Sequence, residues 1–379
     1  MNTLSESNGT FAINLLKMLC QNNPSENVCY SPVSISSSLA MVLLGAKGNT
    51  AVQISQVLGL SPEEDIHHSF QLLLHNLNKP NRKYSLRMAN RLFAENTYQL
   101  LPTFKASCLQ FYHSEIEQLS FAEATEESRR HINTWVSKQT EGKILELLPD
   151  DSVDSETRLV LVNALYFKGK WHQPFYSECT REMPFKVNKR EKRPVEMMCQ
   201  TNTFNFICVK EIQAKLLVMP YEGVELNFIV LLPDDGVDLS KVENNLTFEK
   251  LTAWTKPDFM KTTDVEVFLP KFKLEEKYDM APLFEHLGMV DVFHGGKADL
   301  SGISQEKGLW VSRIIHKCVV EGNEEGTVAA AASADDIVDY CDSDDSETYE
   351  TFCADHPFLF FIQHKDTNSI LFCGRFSSP

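Results

Sequence analysis

The sequence predicts a mixed α+β fold with large sheets. Helical periodicity dominates the first 150 residues and strand-like apolar runs dominate the rest. Of the 379 residues, 43% are hydrophobic, enough for a core hiding about three-quarters of the surface the unfolded chain exposes. No Pro/Gly/Ser-rich linker, internal repeat or change of composition interrupts the chain before residue 335, so one domain over 1–379 is expected.

Ser31-Pro32 opens the first clear helix, with Ser at the cap and Pro at the first helical position. The apolar stretch Ile35 to Leu44 follows, and Gly45 and Gly48 mark its end. Asn49 or Thr50 is suited to cap the next short helix. Residues 123–143 give the clearest amphipathic helix, acidic at Glu126 and Glu127, with Ile132, Trp135 and Val136 at helical spacing. The period then changes. Leu159 to Phe167 is almost unbroken apolar sequence, as a strand covered on both faces requires, and its polar member Asn163 must find partners inside. Leu216–Met219 and Leu226–Leu232 read as strands joined around Glu222-Gly223, and Val265–Leu269 as another. Phe358–Ile362 and Ile370–Phe372 form a closing hairpin across His364–Ser369.

A formal charge of −16 disfavours nucleic acid and anionic membrane and favours a basic protein partner. The first residues carry neither a basic nor an apolar leader region, and no apolar run approaches the roughly 18 residues that span a bilayer. The expected compartment is therefore the cytosol or the nucleus. The ten scattered cysteines contain no C-x-x-C pair and read as reduced thiols. Two glycosylation patterns, at Asn8 and Asn245, carry no weight without export.

Enzyme signatures are missing. There is no G-x-S-x-G, H-E-x-x-H, phosphate-binding or dinucleotide-binding motif, and the eleven histidines form no ligand cluster. His67-His68 reads as solvated helix surface. No catalytic residue, metal or cofactor is expected. The unusual segment is 316–353. It begins as a strand with Cys318 and Val320 on one face, then runs through Glu324-Glu325-Gly326-Thr327, Val328 and the alanines Ala329, Ala330, Ala331 and Ala332. Eight acidic residues follow between Asp335 and Glu350, with no Lys or Arg among them. By residues alone, a short alanine helix capped by Thr327 and an acidic loop fit this stretch. About eight residues nevertheless make only a marginal helix in water.

Glu324-Glu325-Gly326-Thr327 followed by Ala329–Ala332 resembles the hinge of an inhibitory serpin. Asn163-Ala-Leu-Tyr-Phe-Lys-Gly-Lys-Trp171 is similar to that family's third strand of the main sheet, and Ser31-Pro-Val-Ser34 to the start of its second helix. Asp355-His-Pro-Phe-Leu-Phe360 and Phe372-Cys-Gly-Arg375 resemble its C-terminal strands. The similarity spans essentially the whole chain. It points to the ovalbumin-type intracellular branch (clade B) and, within it, to the granzyme B inhibitor subgroup.

That resemblance implies helices packed around three β-sheets with an exposed reactive-centre loop at about 326–352. It implies a monomer that traps a serine protease as a suicide substrate. The family register counted from the hinge puts the scissile bond at Tyr340–Cys341. An aromatic bait suits a chymotrypsin-like enzyme, whereas the subgroup would suggest an acidic residue there. The acidic loop favours a basic, granule-type protease. Ser31, Ser34, Asn163 and His316 match the family's shutter, and Trp171 and Glu324 its breach; satisfied buried polar residues explain the same four shutter positions. Three residues depart from the pattern: Gly322, where an apolar side chain is expected; Val328; and Asp335, whose carboxylate would be buried on insertion. They leave open a non-inhibitory serpin acting as a binding or decoy protein.

Overall fold

The structure is a computed structural model that describes residues 2–61, 65–79, 82–327 and 349–379. Its strands lie in two hydrogen-bonded sheets. In the six-stranded sheet the order is Phe272–Asp279, Val311–Gly322, Leu159–Lys170, Tyr84–Glu95 and Ile116–Leu119, with Gly326–Thr327 pairing on Leu159–Lys170. The nine-stranded sheet runs from Val28–Tyr30 through the hairpin Ser369–Phe376 and Phe358–His364 to Leu226–Pro233 and Ala214–Pro220. It continues through Lys192–Val209 and Lys261–Pro270 to Glu350–Cys353, and Arg181–Lys186 adds to Lys192–Val209. Where three sheets were expected, the second and third share the 18-residue strand Lys192–Val209, which pairs with different partners along its length.

Leu159–Lys170 shows why the apolar run is unbroken. Alternate side chains of a strand point to opposite faces. Leu159, Leu161, Leu165 and Phe167 enter the large core between the sheets. Val160, Val162, Ala164 and Tyr166 enter a smaller core with Ile132 and Val136 of the helix Thr125–Gln139. Full burial of such side chains contributes about 1.5–3 kcal/mol each, so this helix is held by its apolar stripe.

The helix Pro32–Gly45 begins as its sequence predicts: Ser31 accepts the Ser34 N–H and Pro32 takes the first turn. It is buried almost throughout, and the hydroxyls of Ser36, Ser37 and Ser38 donate to carbonyls three or four residues back, which lets polar residues sit there. The next helix, Gly48–Val57, differs from expectation. Its cap position is Lys47, without a side-chain bond. Asn49 instead bonds Asp291 and Thr50 accepts the Asp299 N–H, so tertiary partners claimed both candidate caps. His67 also departs from solvated surface: it is half-buried, with Nδ1 2.7 Å from the Tyr112 hydroxyl. Asn8 is buried in the helix Asn2–Asn22 and is therefore closed to modification in the folded chain. Among the described residues, no helix is long and apolar enough to cross a membrane.

Candidate functional site

The two central strands of the six-stranded sheet are parallel neighbours. Val311–Gly322 pairs with Leu159–Lys170 from Val311↔Leu159 to Val319↔Tyr166, where the described ladder ends. Beyond that point the first strand reverses within four residues. Asn323 and Gly326 exchange backbone hydrogen bonds, and the Asn323 side chain accepts the amides of Glu325 and Gly326. The returning chain pairs antiparallel with the second strand, Gly326↔Lys170 and Thr327↔Gly169. A strand continuing that way would be antiparallel to both parallel neighbours. It would take the backbone bonds they now make to each other.

Gly326 cannot be replaced without moving this hinge. Its φ is +143°, and a Cβ there would lie 2.2 Å from the Gly169 carbonyl oxygen. Around it, Trp171 donates its indole N–H to the Asn323 carbonyl at 2.8 Å and its amide to the Glu325 carbonyl at 2.9 Å. The indole stacks on Tyr221 with ring centroids 4.8 Å apart. Glu324 Oε1 receives the Thr180 hydroxyl and the Lys271 ammonium, each at 2.8 Å. Partial burial pushes the Glu324 carboxyl up, but the bonds from Lys271 and Thr180 outweigh it and hold the group below its usual range.

Gly322 closes the strand before the turn, and its neighbours account for it. A Cβ on Gly322 would lie 2.4 Å from the Phe272 ring, which sits directly opposite in the ladder. That ring packs on Phe228 and Phe360, with centroids 6.0 Å away in each case. The volume expected of an apolar residue at 322 is supplied by Phe272. The glycine is therefore required by packing here, and its entropic cost of about 0.5–1 kcal/mol is offset by aromatic burial.

Below the pairing, one polar cluster joins the central strands to the Pro32–Gly45 helix. His316 and Asn163 are paired residues, both fully buried. The Ser31 amide donates to His316 Nε2 at 3.1 Å, which assigns the ring hydrogen to Nδ1. Ser34 Oγ donates to Asn90 Oδ1 at 2.7 Å. Asn163 Nδ2 donates to Ser38 Oγ and to Asn90 Oδ1. Asn90, directly across the ladder from Asn163, and Ser38 were not identified from sequence. Asn90 gave no comparable signal, because its strand also carries Ser85, Arg87 and Arg91. His316 Nδ1 and Asn163 Oδ1, a donor and an acceptor, have no partner among the described residues.

Burial pushes the His316 imidazole down to about 3, so it is neutral in the folded protein, whereas the unfolded chain takes up a proton near 6.5. Between these values the unfolded state holds one proton more, and stability falls as pH drops through that window. The wild type should lose up to about 1.4 kcal/mol per pH unit more than His316→Gln as pH falls from about 6 to about 4. Urea unfolding across that range compares slopes, so a less stable variant stays informative. Parallel slopes would show that His316 is not the titrating group.

The structure thus brings Ser31, Ser34, Asn163 and His316 together, and separately gathers Trp171, Glu324, Glu325, Gly326 and the backbone of Thr327. Sequence reasoning missed Thr180, Lys271 and Tyr221, which are remote in sequence from the hinge they hold. Val328, Ala329, Ala330, Ala331, Ala332, Asp335, Tyr340 and Cys341 lie outside the described residues.

The site is thus a hinge that turns back beside two parallel central strands, over a buried polar cluster. The family model described as serpin (serine protease inhibitor) matches residues 6–379, and the chain belongs to that family. It is 65% identical to Serpin B9 of Homo sapiens over 379 residues, covering all of both chains. Serpin B8 of Homo sapiens is 53% identical over 379 residues and the leukocyte elastase inhibitor of Equus caballus 48% over 383 residues, again with full coverage of both chains. Among solved structures, uncleaved ovalbumin matches with a TM-score of 0.92 at 38% identity, covering all of both chains. The serpin fold and the clade B resemblance are therefore established, and close relatives carry the names of serine protease inhibitors.

Proposed function

We propose that this serpin inactivates a chymotrypsin-like serine protease in the cytosol or nucleus, as a suicide substrate cut at Tyr340–Cys341. The observation that carries the reading is the antiparallel pairing of Gly326–Thr327 at the open end of two parallel strands. The protease serine attacks the Tyr340 carbonyl, the Tyr340–Cys341 bond breaks, and an acyl-enzyme forms. The freed loop then enters the sheet with the protease attached. Roughly a dozen new backbone hydrogen bonds at about 1 kcal/mol each, with newly covered apolar area, drive that step.

Continuing the observed register residue by residue brings Ala329 opposite Phe167, Ala331 opposite Leu165 and Ser333 opposite Asn163. The alanines suit a crowded track, because they bring no side-chain entropy and little bulk. Ser333 would arrive between Asn163 and His316, where one hydroxyl can accept from His316 Nδ1 and donate to Asn163 Oδ1. An insertion site with two orphaned polar atoms and an incoming hydroxyl supports the reading further. The eight acidic residues of 335–350 favour a basic protease, whose encounter they would accelerate.

Asp335 favours a second reading. The same register puts it opposite Leu161, which faces the large core. A carboxylate there opposes insertion, and a serpin that inserts slowly is cleaved without trapping, as a binding or decoy protein would be. Incubation with chymotrypsin followed by SDS gel electrophoresis separates the two: a stable covalent band establishes trapping, and a clean cut without one leaves the second reading. Mass spectrometry should place the new C-terminus at Tyr340. Tyr340→Ala should slow chymotrypsin-like enzymes at least tenfold, since about 1.4 kcal/mol of pocket contact suffices. Cleavage mainly after Ile337 or Asp339 would overturn the register.

A further inference from the structure

A pair of cysteines flanks the segment that holds Glu324. The short helical turn Ser177–Cys179 leads into the strand Arg181–Lys186, and Thr180 between them is already extended, with φ −72° and ψ 127°. Its hydroxyl reaches Glu324 on one side. Successive side chains of an extended chain alternate, so Cys179 and Arg181 take the other side. The ladder between Arg181–Lys186 and Lys192–Val209 begins at Arg181↔Met197 and runs to Lys186↔Lys192. The same antiparallel register, stepped back two residues, sets Cys179 opposite Cys199, and the turn packs against that strand. Arg181 fits this direction: its guanidinium lies 5.7 Å over the ring of Phe268, the ladder partner of Cys199 on the next strand.

The two thiols are unequal. Cys179 is exposed and Cys199 half-buried, and both are free. Partial burial pushes the Cys199 thiol up, the charges of Glu266 and Cys179 act in the same direction, and Arg181 acts against them. Directly opposed residues of an antiparallel pair hold their Cβ atoms about 4.5–5.5 Å apart, a small adjustment from the roughly 3.5–4.5 Å that a disulfide requires. Among the described residues, the other two accessible cysteines are out of reach. Cys353 shares the row, since Phe268 pairs with both Cys199 and Cys353, but it is two strands away. Two strand spacings are roughly 9–10 Å, beyond the ~7 Å that a disulfide spans. Cys208 lies near the far end of the strand that carries Cys199. An exposed thiol with a second thiol across the ladder is the arrangement in which one cysteine meets the oxidant and its neighbour resolves the adduct.

We propose that Cys179 and Cys199 are a reversible redox pair that closes to a disulfide on reaction with a small-molecule disulfide such as oxidised glutathione. The Cys179 thiolate attacks one sulfur of glutathione disulfide and releases one glutathione. The Cys199 thiolate then displaces the second glutathione from the mixed disulfide. Two protein thiols are oxidised, one glutathione disulfide is reduced to two glutathione thiols, and the two protons pass to them. The step involves neither the bait loop nor a protease. The test incubates the intact full chain with glutathione disulfide, alkylates the remaining thiols and maps the unreduced peptides by mass spectrometry. The expected product is a peptide linked through Cys179 and Cys199, which dithiothreitol reopens. Cys199→Ser should stop at a persistent glutathione adduct on Cys179, and Cys353→Ser should leave the cross-link unchanged. Full alkylation of both thiols after the incubation would overturn the proposal. So would linkage of Cys179 to Cys208, Cys341 or Cys353, or a glutathione adduct on Cys179 that persists in the wild type.

Discussion

Thr327→Arg is expected to abolish the covalent protease complex while leaving the loop cleavable. Position 327 pairs with Gly169, at the first step of the track that an inserting strand must follow. On the core side, Phe167 and Tyr221 close that step: even a methyl group on Gly169 would lie 2.8 Å from one ring and 3.0 Å from the other. In the inserted strand a side chain at 327 shares the Gly169 face, so arginine would have to bury its guanidinium against these rings. A buried charge costs several kcal/mol unless it is paired. Insertion would stall at its first residue, giving the acyl-enzyme time to hydrolyse. The readout is the SDS-stable band with chymotrypsin, alongside the rate of loop cleavage. A variant that traps as well as wild type would show that the loop does not enter beside Leu159–Lys170.

Asp335→Ala is expected to act in the opposite direction. The register carries this carboxylate to Leu161, a fully buried residue of the large core. Burying it unpaired opposes insertion by several kcal/mol, or forces it to take up a proton. Alanine removes that opposition without adding bulk, so a larger fraction of encounters should end in the covalent complex. The melting temperature of the loop-cleaved form should rise far more than that of the intact form. If both the stoichiometry of inhibition and the cleaved-form melting temperature are unchanged, Asp335 does not enter the sheet. Gly322 would then be no refuge as an explanation, because Phe272 already fills its place.

The sequence by itself determined the elements whose signals are local. The Ser31-Pro32 start of a helix, the doubly covered strand from Leu159, the closing hairpin and the stripe of Ile132 and Val136 all follow from caps and periodicity, which depend on near neighbours. Long motifs such as Asn163–Trp171 carried the family. The hinge reading came only with the family resemblance, and its alanines lie outside the described residues. Only the tertiary structure decided what depends on residues distant in sequence. Asn49 and Thr50 look like caps until Asp291 and Asp299 arrive to use them. Gly322 looks like a defect until Phe272 is opposite it. Thr180 and Lys271 become partners of Glu324 because strands and turns about 50 to 150 residues away converge there. The polar cluster of His316 and Asn163 exists because two strands distant in sequence set these side chains level with each other. Burial, register and the pairing of charges are properties of the packed chain, and a local pattern carries no record of which remote atom completes them.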